Sequence, residues 1–217
     1  MRHLPCRTLL RNAAFLLLLL SLSHCIVPYE SARMLPKGAT EIKAGFSHSQ
    51  ASSDGESDGL NNGLGLGLGY GINDRINLKM RYDRVMITDS DGEGVNYMGF
   101  GPKFGLVPGK FAMMFPFGVY FGEGESTWGM HPGFLFTLPG KKNRVETTFG
   151  ARTDIFFESE ADLLIVLNLG LGLSQDLDRW AIRPDLGLVL DPGDDGVIWT
   201  FGVGASYNIS SENAAKR

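Results

Sequence analysis

"NNGLGLGLGYGIN", residues 61–73, sets glycine at every odd position from Gly63 to Gly71, with Leu64, Leu66, Leu68, Tyr70 and Ile72 between them. A period of two is that of a β-strand, which turns successive side chains to opposite faces. Glycine is a poor strand former because it loses the most backbone freedom and packs nothing against its neighbours. Five of them on one face imply that something on that face needs room.

The alternation recurs along the chain about every fifteen residues, and no stretch keeps an apolar period of 3.6. Ten strands are expected near residues 39–47, 62–72, 75–87, 95–106, 110–121, 128–138, 144–157, 162–173, 179–190 and 197–209. Short turns join them at "NDR" (73–75), "VPGK" (107–110), "PGKKN" (139–143) and "QDLDR" (175–179), alternating with longer acidic connections. "GLGLGYGINDRINL" and "GLGLSQDLDRWAI" both run from a Gly/Leu strand through an Asp-Arg turn into a further strand, a weak hairpin repeat. Up-and-down antiparallel topology follows. Pro102, Pro116, Pro132 and Pro184 fall inside these strands, where each removes a ladder donor and invites a bulge or an early end.

Along almost every strand one parity is large and apolar: Leu163 to Leu171 on the eighth, Phe111 to Phe121 on the fifth, Val197 to Tyr207 on the tenth. The opposite parity carries the glycines together with Glu41, Lys43, Lys79, Arg81, Asp83, Lys103, Glu146, Arg152, Asp154, Arg183 and Asp185. A soluble barrel or sandwich would bury the apolar face, whereas a membrane barrel turns it to lipid. A ten-stranded barrel lacks the interior volume for so many Leu, Phe, Met and Trp side chains, and glycines on a solvated face would gain nothing. Pointing into a narrow lumen, the glycines leave space for long charged side chains from neighbouring strands. The expected fold is all-β, an up-and-down antiparallel transmembrane β-barrel of about ten strands over residues 39–209.

Residues 1–25 read as an export signal. Arg2, Arg7 and Arg11 precede the apolar run from Ala13 to Leu22, which is too short to span a bilayer as a helix. Leu22-Ser23-His24-Cys25 resembles the lipobox of bacterial lipoproteins, which implies lipidation of Cys25, although His24 stands where a small residue is usual. Cleavage as an ordinary signal peptide near Ser23 or Cys25 is the alternative. Either cut removes three arginines and leaves 17 Lys and Arg against 24 acids, a formal charge of -7, which argues against nucleic acid as a partner. Cys6 and Cys25 are the only two cysteines, so thiol chemistry in the folded part is excluded. Residues 26–38 then form a periplasmic N-terminal segment and 210–217 a C-terminal tail.

Residues 39–209 resemble, by pattern, the small outer-membrane β-barrel proteins of Gram-negative-type bacteria, components of the cell envelope. "GVGASYNIS" (202–210) looks like the terminal-strand signal read by the barrel-assembly machinery, with Gly204, Tyr207 and Ile209 suitably spaced, although the tail "SSENAAKR" (210–217) replaces the usual terminal aromatic. The resemblance implies a cell outer-membrane location, with membrane lipid, lipopolysaccharide and, during biogenesis, that machinery as partners.

Fourteen of the 24 acids fall in the connections at 48–60, 88–94, 122–127, 158–162 and 191–196, which contain no Lys or Arg. A rim of one sign attracts divalent cations weakly and, through them, lipopolysaccharide phosphates. "DSDGEG" (89–94) lacks the spacing and terminal bidentate Glu of an EF-hand, and reads as a solvated acidic loop. His48 and His131 are the histidines of the barrel, and His131 faces the lumen. A histidine near carboxylates at a rim is similar to outer-membrane proteases of the omptin type, but no matching acidic and histidine motif accompanies it, so neither a catalytic residue nor a metal or cofactor is assigned. Six basic and five acidic lumenal residues either pair as a plug or line a small water path, and narrowness favours pairing. The expected function is a barrel of structural or surface-interaction type; the alternatives are a porin-like narrow-pore transporter and, third, a surface hydrolase.

Overall fold

A computed structural model describes residues 29–53, 56–87, 94–122, 125–157, 163–192 and 197–209. The export signal with Cys25, the C-terminal tail and most of the acidic connections lie outside the described residues. The chain forms β1 (Thr40–Ser53), β2 (Glu56–Asn73), β3 (Ile76–Ile87), β4 (Gly94–Val107), β5 (Phe111–Met114), β6 (Phe117–Gly122), β7 (Glu125–Met130), β8 (Gly133–Pro139), β9 (Val145–Phe156), β10 (Leu164–Leu173), β11 (Trp180–Leu190) and β12 (Val197–Ile209). All pairings are antiparallel, and β12 pairs β1 from Thr40↔Ile209 to Ser52↔Val197, so the sheet closes on itself.

Strand β4 pairs with both β5 and β6, and β9 with both β7 and β8, so these four segments are two interrupted staves and the barrel has ten. The breaks fall at Phe115-Pro116 and His131-Pro132, where the prolines have no N–H to donate. The wall stays sealed because Phe115 N donates to Pro102 O (3.0 Å), His131 N to Pro116 O (2.9 Å) and Thr153 N to Pro132 O (3.0 Å). Pro102 and Pro184 remain inside β4 and β11, paired across from Leu78 and Val203.

At the short-turn end, Val107 O accepts from Lys110 N (3.0 Å), which closes a turn over Pro108-Gly109. Gly109 has φ +66° with open space around it, so conformation rather than crowding requires glycine there. At the other end the structure departs from expectation. Residues 48–60 are not a long loop, because β1 runs to Ser53 and β2 begins at Glu56, with a register shift at Ser49/Gln50. A hydrogen-bonded ladder needs no apolar side chains, so the polar stretch continues the hairpin past the apolar belt. The connection at 123–124 is equally brief, and the expected contrast in loop length between the two rims is small.

The outer surface inverts the pattern of a soluble protein. Leu66 is 60% exposed, Phe100 54% and Trp128 58%, while the inward Glu146 and Asp154 are fully buried. A closed barrel with a continuous apolar exterior and staves of 10 to 18 residues fits a bilayer, which about 9–11 tilted residues cross.

Candidate functional site in the barrel lumen

The segment expected as a periplasmic lead-in, residues 26–38, is placed differently over its described part. From Ala39 the chain turns back into the barrel, and Tyr29, Ser31, Ala32 and Leu35 are buried there. The glycine faces make this possible. A Cβ at Gly45, Gly202 or Gly204 would collide with Tyr29, one at Gly71 with the backbone of Leu35-Pro36, and one at Gly105 with Met34. The glycines of β1, β2, β4 and β12 therefore accommodate a length of main chain, in addition to charged side chains such as Asp83 above Gly65 and Lys79 above Gly69.

The segment is fastened at each step. Tyr29 Oη donates to Phe46 O (2.6 Å). Ala32 N donates to Thr137 Oγ1 (2.7 Å), which in turn contacts Thr148 Oγ1 (2.9 Å). Arg33 bridges Glu146, Asn143 (2.5 Å) and Asp178 (2.8 Å). Gly38 N donates to Gly71 O (2.8 Å), which pins the end of the segment, just before β1, to the end of β2.

Glu30 is the centre of the arrangement. Its carboxylate meets Lys43 on β1, Lys79 on β3 (3.2 Å) and Lys103 on β4 (3.1 Å). Lys43 and Lys79 also meet Glu41, Lys43 at 3.3 Å. Lys103, whose side chain is 2% exposed, donates further to Ser31 O (2.6 Å) and Arg33 O (2.8 Å). Burial alone would push the Glu30 carboxyl up, but the three ammonium groups together outweigh it and hold it well below the usual carboxylate range.

Every lumenal charge named from strand parity has an inward side chain, and the partners are partly unexpected. Arg81 meets Asp83 (2.6 Å) and Arg152 meets Asp154 (2.7 Å), both pairs two residues apart on one strand and not across strands. Arg183 reaches Glu146 (2.7 Å) over β10. Asp185 accepts from Asn168 (3.3 Å). Glu30 and Arg33 were not anticipated, because residues 26–38 carry no alternation that would place them against a strand.

His131, at the break between β7 and β8, is 1% exposed, and its Nδ1 lies 2.8 Å from Asp154 Oδ1. Tyr97, Tyr120 and Phe156 surround its ring at centroid distances of 5.4, 5.6 and 6.3 Å, forming an aromatic layer in the half of the lumen nearer the acidic connections. The pair is sealed inside the wall, not set in a rim cleft. His48, by contrast, contacts Asn62 (3.0 Å).

Two spaces remain beside the segment. One, of about 80 Å³, lies between Glu30, Lys43, Lys79, Arg81, Arg152 and His131. The other, of about 190 Å³, is lined by Glu30, Lys43, Lys79, Lys103 and Arg183 and reaches Asp178, whose side chain is 75% exposed at the short-turn end.

The lipid-facing exterior and the ionic, chain-filled interior define a ten-stranded transmembrane β-barrel, and single-chain barrels of this kind belong to the bacterial outer membrane. No family profile and no curated protein matches the chain. Solved structures of similar shape include Ail, the attachment invasion locus protein of Yersinia pestis, at 16% identity and TM-score 0.37, covering 80% of this chain and 99% of that one. Neisserial surface protein A follows at 12% and 0.37 (79% and 99%), and an outer-membrane channel from Pseudomonas putida F1 at 13% and 0.45 (84% and 98%). At these values the comparison concerns shape alone.

Proposed function

We propose that the protein is an outer-membrane barrel of structural or surface-interaction type whose lumen is held closed by its own N-terminal segment and the surrounding ion pairs. The observation that carries this reading is the seating of residues 29–36 among buried, paired charges, with spaces of about 80 and 190 Å³ beside them among the described residues. Its working surface is then the acidic rim, where weakly held divalent cations bridge to lipopolysaccharide phosphates. A narrow-pore transporter is the second reading, favoured by one observation: the two spaces share Glu30, Lys43 and Lys79, so the segment is what stands between them.

Purified protein reconstituted in planar bilayers separates the two. A closed lumen gives at most small and rare conductance steps, as ten staves near the side-chain-filled limit imply. Stable, large, ion-selective currents from the wild type overturn the closed reading and promote the transporter.

A further inference from the structure

The three lysines around Glu30 come from three different strands, β1, β3 and β4, and converge on one carboxylate belonging to a segment outside the barrel wall. Three ammonium groups face two carboxylates in this cluster, Glu30 and Glu41. Removing Glu30 leaves three against one among largely buried side chains, where uncompensated charge is costly. The wall is therefore built to hold an anion at this point, and Glu30 is the group that currently supplies it. The geometry around it is that of a ligand site: charged donors from several strands, the side-chain-free Gly67 and Gly69 of β2 paired to Lys43 and Lys79 on either side, and free volume on both sides of the carboxylate.

We propose that Lys43, Lys79 and Lys103 form a lumenal binding site for a small carboxylate, that Glu30 occupies it as a built-in stand-in, and that a free carboxylate takes its place when the segment is displaced. The approach is from the short-turn end. The larger space opens there beside Asp178 and runs up to the lysines, while the aromatic layer of Tyr97, Tyr120, His131 and Phe156 lies beyond. Arg81 and Arg152 border the smaller space, each already compensated by the aspartate two residues along its own strand, so the lysines are the cations left to hold an added anion. A monocarboxylate of a few heavy atoms matches both the volume of about 80 Å³ and the planar, two-oxygen acceptor that the lysines now hold.

The test is chemical rescue in the full-length chain. Glu30→Ala deletes a CH2–COO⁻ unit, and acetate restores those atoms. The thermal midpoint of the variant, followed by loss of the compact band on unboiled gels, is expected to fall and then to rise saturably with sodium acetate at constant ionic strength. Sodium chloride at equal ionic strength and inorganic phosphate do not reproduce the rise, and the wild type, already occupied, does not respond. A folded Glu30→Ala barrel with no acetate effect overturns the proposal, as does an equal effect of acetate on the wild type or of chloride on the variant. Should Glu30→Ala give no compact barrel in either salt, Glu30→Ser, whose Oγ stands where Cγ was and leaves the carboxylate position vacant, replaces it with formate as probe, and a midpoint indifferent to formate overturns the proposal. The site rests on the closed-lumen reading, yet the two fail separately. Wild-type currents would sink that reading while leaving rescue to be observed, and absent rescue leaves a lumen that is closed all the same.

Discussion

Removing the Arg152 guanidinium tests whether the lumen is held by compensated buried charge. Asp154 is fully buried and takes two bonds from Arg152, Nε to Oδ1 at 2.7 Å and a terminal nitrogen to Oδ2 at 3.1 Å. Arg152→Met keeps the aliphatic bulk and leaves the carboxylate with His131 Nδ1 at 2.8 Å as its remaining side-chain donor among the described residues. Breaking one side of a buried pair costs about 3–5 kcal/mol, and the surviving histidine contact puts this case near the lower figure. For a chain of this size, about 2–4 °C per kcal/mol converts that to a drop of about 6–12 °C in thermal midpoint. Urea unfolding in lipid vesicles gives the free energy, and Lys110→Met, on an exposed turn, is the control and stays within about 0.5 kcal/mol of wild type. The decisive comparison is the double variant Arg152→Met with Asp154→Asn. Removing both charges removes the penalty, so the double variant recovers at least half of the loss. A double variant as unstable as the single one, or less stable, refutes the reasoning and makes Arg152 a packing residue.

Gly204→Val sets a side chain 2.5 Å from Tyr29 Cγ, near the root of that side chain, so the segment itself has to move. Conductance steps absent from the wild type are expected in this variant and not in Ala205→Val, one residue along on the lipid-facing side; identical traces would detach the segment from closure. Acid weakens the same anchor: because Lys43, Lys79 and Lys103 depress the folded-state value of Glu30, its contribution is complete above the ordinary value of 4.5 and is lost as pH falls through the folded value. On acidification from neutrality the stability difference between wild type and Glu30→Gln therefore does not fall until about pH 5 and shrinks below that, whereas a difference already shrinking with acid near neutrality contradicts the three-lysine anchor.

The fold was legible because the two faces of the strands differ in a way that survives without tertiary information. Leu64, Leu66 and Leu68 against Gly63, Gly65 and Gly67 give both the period and the inversion, and the pairing Thr40↔Ile209 closes what the alternation began. Strand ends were less legible: the ladder past Ser49 rests on backbone hydrogen bonds, which are indifferent to whether the side chains are polar. Prolines marked trouble without locating it, since Pro102 and Pro184 are absorbed into the wall while Pro116 and Pro132 break it.

The site was half legible, and the missing half has a physical cause. Parity assigns a charge to the lumen but not to a partner, because at two-residue spacing Arg81 and Asp83, or Arg152 and Asp154, share a face and can turn to each other. Residues 29–38 have no period at all, since a segment inside a barrel is contacted from every side and needs no polar face. The signal for it lay elsewhere, in an excess of lumenal glycine. Five inward glycines on β2 alone exceed what a few charged side chains require, and Gly45, Gly202 and Gly204 face one another across β1 and β12 with no charged side chain on β12 to fill the gap. A lumen with more room than its own side chains occupy has to be filled by something else, and in this chain Tyr29 and the residues after it fill it.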